Sequence, residues 1–249
     1  MAGYNTEKRR RPQVGGKFIV IAVLLMLVVV FVGLCAFLRV SEIVIEGAEL
    51  YAPEEIEAAA GIEKGDSLLL VSSSRTALAI CRKFPYVENV RIKREIPGRV
   101  VITVTESSAV AFIEADGAYW KLDQNCRLLE RTDAKGVAGL IRIVGATPIS
   151  PSEGKSLSLG LEEESKEVYI KSLLAGACAH GIADKIGRLD AENIARLGFT
   201  YGDNLTVFFG SGAEIDAKFS MLMRILQDCA DQYGTIDVSD PDEGHFIPA

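Results

Sequence analysis

The chain has 249 residues, enough for one or two domains of ordinary size. Its 27 basic and 34 acidic side chains give a formal charge of −7, which excludes the basic footprint that nucleic-acid phosphates demand. The charge is uneven: residues 1–38 hold 5 Lys/Arg and 1 acid, whereas residues 39–249 hold 22 Lys/Arg against 33 acids.

The first element explains that split. Residues 18–38, FIVIAVLLMLVVVFVGLCAFL, are 21 residues without a charge. As a helix they span about 31 Å at ~1.5 Å per residue, close to one bilayer core. No polar face interrupts the run, as the surface of a soluble helix would require. Lys8, Arg9, Arg10, Arg11 and Lys17 precede it. The positive-inside rule therefore predicts a cytoplasmic tail over residues 1–17, a transmembrane helix over 18–38, and an extracytoplasmic remainder. The run exceeds the ~7–15 apolar residues of a signal peptide, and no A-x-A site follows, so an uncleaved anchor is expected. VGLC, ending at Cys35, faintly resembles a lipoprotein processing site, but the bulky Leu34 argues against it.

Five cysteines are present. Cys35 lies in the apolar run. Cys81, Cys126, Cys178 and Cys229 are widely spaced, with no C-x-x-C. Their even number permits two disulfides outside the cytoplasm. Because most of them sit in apolar or helical stretches, small buried apolar side chains is the preferred reading.

RVSEIVIEG alternates and predicts a short strand ending at Gly47. APEEIEAAAG predicts a short helix: Pro53 suits its first position, Glu54 and Glu55 its positive dipole end, and Gly61 its stop. SSSRTALAICRKFP predicts a second helix, capped by a serine at 72–74, with Leu78, Cys81 and Arg82 near one face and Pro85 closing it. VENVRIKREI and RVVITVTE then alternate on either side of Pro97-Gly98. The apolar positions Val90, Ile92, Ile96, Val100, Ile102 and Val104 are all even. A two-residue loop would put the two apolar sets on opposite faces. An odd loop aligns them, and the expected register sets Ile96 opposite Val100 and Ile92 opposite Val104. On that parity Glu106 faces inward, at the far end of the hairpin.

The remainder reads more weakly. GAYWKLDQNCRLLE predicts a hairpin, from Tyr119 to Leu122 and from Arg127 to Leu129. LIRIVG predicts a strand, and TPISPSEGKSLSLG a loop. EEESKEVYIKSLLAGACAHG predicts a helix with acids in its first turn. IGRLDAENIARLGFTYGDNLTVFFG predicts two or three strands. AEIDAKFSMLMRILQDCADQYG predicts an amphipathic helix with Phe219, Leu222, Ile225, Leu226 and Cys229 along one stripe. TIDVSDPDEGHFIPA predicts a strand, a turn and a short strand.

The order β-α-α-β-β directly after an anchor resembles a POTRA domain. I-x-x-I-x-G, the G-x-x-x-x-x-L-L near Gly61–Leu69, F-P-Y-V-x-x-V, the R-x-x-P hairpin and V-x-I-x-V-x-E resemble the FtsQ/DivIB family of bacterial cell-division proteins. The later F-F-G, K-F-x-x-L-x-x-I-L and I-D-V resemble that family's C-terminal β-domain. The resemblance implies an α+β fold: a single N-terminal transmembrane helix, a POTRA domain over 39–107, and a mixed α/β domain built on an antiparallel sheet over 108–249. It implies a non-enzymatic scaffold at the division septum, without a cofactor, that helps regulate septal peptidoglycan synthesis. It implies as partners the small single-span coiled-coil proteins of FtsL and FtsB/DivIC type, with other divisome components on the POTRA domain. In the family the contact lies at the final strand, which aligns with Gly244, His245, Phe246 and Ile247. Phe246 is then either the apolar anchor for the partner or a side chain packed into its own domain. Pro248, lacking an N–H, ends the usable edge. Two positions depart from the family. Ala109 stands where a proline is common, and Ser239 and Asp240 stand where a basic residue and an aromatic are common.

Enzymatic alternatives rest on little. Ser152 and Lys155 fit S-x-x-K, but Pro151 and Gly154 bracket a loop where that motif needs a helix, and no K-T-G follows. A membrane-anchored envelope enzyme would have Ser152 as its candidate nucleophile. His180 and His245 are isolated. Glu162–Glu164 more simply complement a helix dipole than bind a metal. Asn204-Leu-Thr formally fits a glycosylation sequon without a context for it. A POTRA-containing assembly or secretion factor would need a β-barrel for which too little chain remains. Glu106 is read as a residue of the domain junction, accepting hydrogen bonds there.

Overall fold

A computed structural model of the chain describes residues 16–229 and 231–249. The basic tail over residues 1–15 lies outside the described residues, as do the side chains of residues 34–36, Cys35 among them.

Helix α1 runs from Gly16 to Phe37. Its large apolar side chains from Phe18 to Val32 are all exposed, so no other part of the chain covers them. Among the described residues, no helix is long and apolar enough to cross a membrane. Burial begins immediately after it, at Leu38 and Val40.

The next unit holds β1 (Glu42–Glu46), α2 (Pro53–Ala60), α3 (Ser73–Lys83), β2 (Val87–Glu95) and β3 (Arg99–Glu106). The sheet order is β1-β3-β2, with β1 parallel and β2 antiparallel to the central β3. Pro53 opens α2 and Gly61 closes it in the left-handed region, at φ 61°. Ile56, Ala60, Ile62, Ile80, Phe84 and Val87 join Val100, Ile102 and Val104 in one core. On α3 the buried residues are Thr76 and Ile80, while Leu78 is exposed. This corrects the face expected from the sequence: Thr76 and Ile80 lie one turn apart, and the helix is turned so that they meet the sheet.

The hairpin loop is odd, as the parity argument requires, but the register differs from the expected one. Ile92 lies opposite Ile102, Val90 opposite Val104 and Glu95 opposite Arg99. Ile96 therefore belongs to the three-residue turn and is exposed. The cause lies with the other neighbour of β3: Arg99 already pairs with Glu42 of β1 and Gly98 O accepts Ser41 N at 2.7 Å, so β3 is in the sheet from Arg99 and the turn falls on residues 96–98. The shift is two residues, and both apolar sets keep their face. A bulge at Glu88 then resets the far end, bringing Val87 opposite Glu106.

The second unit is a nine-stranded sheet, in the order β12-β11-β10-β9-β8-β7-β4-β5-β6. Its strands are β4 (Ala111–Ala115), β5 (Ala118–Leu122), β6 (Leu128–Thr132), β7 (Ile141–Val144), β8 (Ile186–Asp190), β9 (Leu197–Tyr201), β10 (Leu205–Gly210), β11 (Gly234–Asp237) and β12 (His245–Pro248). The sheet is mixed, which corrects the antiparallel expectation. Three of its pairings, β4·β7, β7·β8 and β10·β11, are parallel. The reason is connectivity. Helix α4 (Glu164–Ala179) carries the chain from β7 to β8, and α5 (Ile215–Cys229) carries it from β10 to β11. A helical crossover returns the chain to the same end of the sheet. Both helices bury Tyr169, Ile170, Leu173, Leu174, Phe219, Leu222 and Leu226 in one core with the sheet.

Candidate functional site

The two ends of the large sheet differ. Outside β6, residues 154–157 run alongside. Gly154 N donates to Leu128 O at 2.7 Å, and Leu128 N donates to Lys155 O at 2.8 Å. At the opposite end, β12 pairs with β11, and among the described residues no strand covers its other side. The register is regular: His245 faces Asp237, Phe246 faces Ile236, and Ile247 faces Thr235.

That register fixes which groups are open. Ala249 N donates to Tyr233 O at 3.0 Å, so residues 245, 247 and 249 turn their backbone groups toward β11. Gly234 N, one step along, donates the other way to Asn204 O at 3.1 Å, as the alternation requires. Phe246 thus presents its N–H and C=O outward, and Pro248 presents a carbonyl alone. The Phe246 ring is half-buried and packs against the core, while His245 and Ile247 are exposed. One part of the Phe246 ring thus packs into its own domain, the rest stays exposed, and its backbone faces out.

Glu106 ends β3. Its Oε2 accepts the backbone N–H groups of Glu49 at 3.2 Å and Leu50 at 2.9 Å. Both donors belong to the connection between β1 and α2, so this carboxylate ties together one unit. Its buried Oε1 has no partner among the described residues.

The contacts between the units are made elsewhere. Arg127 donates from Nη2 to Cys81 O at 2.7 Å, from Nη1 to Val87 O at 2.5 Å, and from Nε to Gly154 O at 3.1 Å. Two of these carbonyls belong to the first unit and one to the second. Beside it, Asn125 Nδ2 donates to Glu88 Oε1 at 2.9 Å. The buried Asp123 builds this turn: its Oδ1 accepts Asn125 N at 2.8 Å and Arg127 N at 2.9 Å. Across the junction, burial and then the nearby Glu130 push the Tyr86 phenol well above its ordinary range. Sequence reasoning missed Arg127. The D-x-N in Asp123–Asn125 marked a turn, but no local signal says that the turn points at another domain.

The remaining chemical candidates stay apart. Ser152 and Lys155 lie in a loop whose Lys155 N donates to Ser152 O at 3.2 Å. The His180 ring stacks on Phe219, with centroids 5.2 Å apart. His245 Nε2 stands 3.8 Å from Glu243 Oε2. Glu163 Oε1 is held by Lys166 Nζ at 2.8 Å. Among the described residues no group of His, Cys, Asp and Glu is gathered for a metal. Cys81, Cys126, Cys178 and Cys229 are free thiols.

Residues 38–107 match the family described as POTRA domain, FtsQ-type. Over 244 residues the chain is 28% identical to the cell division protein FtsQ of Streptomyces venezuelae, covering 96% of this chain and 86% of that protein. It is 25% identical over 206 residues to the cell division protein DivIB of Clostridium acetobutylicum, covering 82% and 80%. FtsQ of Streptomyces griseus is 26% identical over 212 residues, covering 83% and 95%. Residues 38–107 thus carry an FtsQ-type POTRA domain, and the chain as a whole is similar to the FtsQ and DivIB cell-division proteins.

The similarity gives these motifs physical content. In the FtsQ-type POTRA domain, Gly47 closes I-x-x-I-x-G at φ 77°, and a Cβ there would come within 2.3 Å of Val104 O. Only glycine lets β1 leave the sheet at that point. F-P-Y-V places Phe84 in the core, offers Tyr86 O to Ser107 N at 2.8 Å, and offers Val87 O to Arg127. The chain thus uses the motif at the seam between its two units.

Proposed function

We propose that this protein is a membrane-anchored, non-enzymatic scaffold of the division machinery, which pairs a partner strand with the open edge of β12. The partners are small single-span coiled-coil division proteins of FtsB/DivIC and FtsL type, met outside the membrane, and the assembly helps regulate septal peptidoglycan synthesis. The carrying observation is the outer side of β12, which no strand covers among the described residues, whereas at the other end of the sheet residues 154–155 bond to Leu128 where β6 begins. An unpaired strand edge is a template for strand addition. The contact residues on this reading are Gly244, His245, Phe246 and Ile247. Phe246 supplies the outward N–H and C=O.

On this reading the anchor is the whole apolar run 18–38, which takes in residues 34–36 outside the described side chains. Its apolar side chains from Phe18 to Val32 are exposed, and hydrocarbon is the surrounding that suits them. The basic residues of the tail then hold the N-terminus in the cytoplasm. The POTRA domain provides a further surface for other divisome components. Glu106 is a junction residue only indirectly: by holding the β1–α2 connection on β3 it shapes the rim that precedes the second unit.

The test is affinity purification of the tagged full chain from dividing cells, against versions lacking residues 244–249 or carrying Phe246→Pro. Recovery of an FtsB/DivIC-type protein with the intact chain, and its loss in both variants with the POTRA domain still folded, is the expected result. Undiminished recovery with the truncated chain would refute the proposal.

A further inference from the structure

The proposed edge has a chemical character of its own. From Ile225 to Ala249 the chain holds six acids, Asp228, Asp231, Asp237, Asp240, Asp242 and Glu243, and no Lys or Arg. Asp240, Asp242 and Glu243 are exposed in the loop that leads into β12. Two short bonds shape that loop: Asp237 Oδ1 accepts Ser239 N at 2.9 Å, and Asp240 Oδ1 accepts Asp242 N at 2.9 Å. Each of these carboxylates keeps a second oxygen, and among the described residues none of the three Asp in this loop region forms an ion pair. The buried Lys218 of α5 is committed elsewhere: its Nζ donates to Phe209 O at 2.9 Å and Ser211 O at 2.8 Å. The exposed His245 stands beside this loop, its Nε2 3.8 Å from Glu243 Oε2.

The same edge carries an apolar shelf. A Cβ on Gly244 would come within 2.6 Å of Met221 and 2.7 Å of Ile225, so even-numbered positions of β12 face α5. Met221, Ile225 and Phe246 are partly buried against the core on this face. A residue of an added strand opposite Phe246 would extend that shelf. The outward backbone groups available to it are few, because Pro248 offers no N–H.

We infer that the strand received by β12 is amphipathic and basic: apolar opposite Phe246, with Lys or Arg where it runs past residues 237–243. The inference rests on the edge proposal above and adds the chemistry of the occupant. Charge complementarity selects it, since exposed carboxylates flank an edge with few hydrogen bonds to give. A second copy of this chain is a poor occupant, having no Lys or Arg from Ile225 onward to set against them.

The experiment measures binding of labelled synthetic peptides to the full chain in nanodiscs by fluorescence anisotropy. One peptide alternates Thr and Val and carries Lys at its flanks; its counterpart carries Glu at the same places. The Lys peptide should bind at least about tenfold more tightly at low salt, and the margin should shrink near 0.5 M salt. The combined variant Asp240→Lys, Asp242→Lys, Glu243→Lys should reverse the preference. Phe246→Pro should abolish binding of both peptides. Equal affinity for the two peptides, with Phe246→Pro still abolishing it, would overturn the basic occupant and leave the edge proposal standing. Binding that survives Phe246→Pro would overturn the edge itself. A dimer of the full chain that dissociates on Phe246→Pro would assign the edge to a second copy and overturn the inference.

Discussion

Arg127 is the side chain on which the relation between the two units turns. It reaches carbonyls of Cys81 and Val87 on one side and Gly154 on the other. A guanidinium spreads its donors in a fixed fork, so one lysine cannot replace it. Arg127→Met should cost about 2–4 kcal/mol, since buried carbonyls lose their donor. Chemical denaturation would measure it, and a split into two transitions is the expected sign of uncoupled units. Glu106→Ala should cost about 1–2 kcal/mol by freeing the amides of Glu49 and Leu50, with Glu106→Gln recovering part of it through its remaining oxygen. Cys126 gives a pH signature. Burial pushes its thiol up from 9.0 to about 12. The folded state keeps this proton while the unfolded state loses it above pH 9.0, so stability from this group is present below that pH and falls as pH rises toward 12. Denaturation curves at pH 8 and 10.5 should differ, and Cys126→Ala should remove that part of the difference.

Single elements carry the partner proposal, and they were unevenly legible. The open groups of β12 supply about three hydrogen bonds at ~1 kcal/mol each, which by themselves give only millimolar affinity. Side chains must therefore provide the rest. Phe246→Ala, which keeps the backbone groups, should weaken partner binding without the complete loss expected of Phe246→Pro. Co-purification yield would check this. The POTRA elements were readable because each has a period and a stop: Pro53 and Gly61 bound α2, and even-numbered apolar residues mark the hairpin. The turn register was not, because Ile96 looks like a strand residue and the pairing of Arg99 with the distant Glu42, which fixes where β3 starts, leaves no local mark. Strand β4 went unread although Asp116-Gly117, at φ 52° and 70°, is a strong hairpin turn. Its AFIEA is buried on both faces and lacks alternation. The parallel pairings of the large sheet were also hidden, since pairing partners lie far apart in sequence. Lys218 shows the same limit: nothing in its helical stripe says that a lysine is buried to hold Phe209 O and Ser211 O.

At the scale of the whole molecule, two hydrophobic cores follow one exposed apolar helix. Arg127 and Asn125 of the second unit join them, reaching Cys81, Val87 and Glu88 of the first. The anchor proposal makes the full chain resist alkaline extraction from membranes, with the POTRA domain accessible to protease only from the outer face. Extraction in the soluble fraction would contradict it. The proposed edge follows the proposed anchor by some two hundred residues, an arrangement in which a tethered chain would present β12 to a partner held in the same membrane.

The central claim is that a division partner occupies the free side of β12. Photo-cross-linking in dividing cells tests it most directly, with the reactive residue placed at Ile247 or, as a control, at Arg131 near the opposite end of the same sheet. The account predicts a cross-link from position 247 to a single-span division protein of FtsB/DivIC type and none from position 131. Equal cross-linking from both positions, or none from 247 in a chain that still supports division, would contradict it.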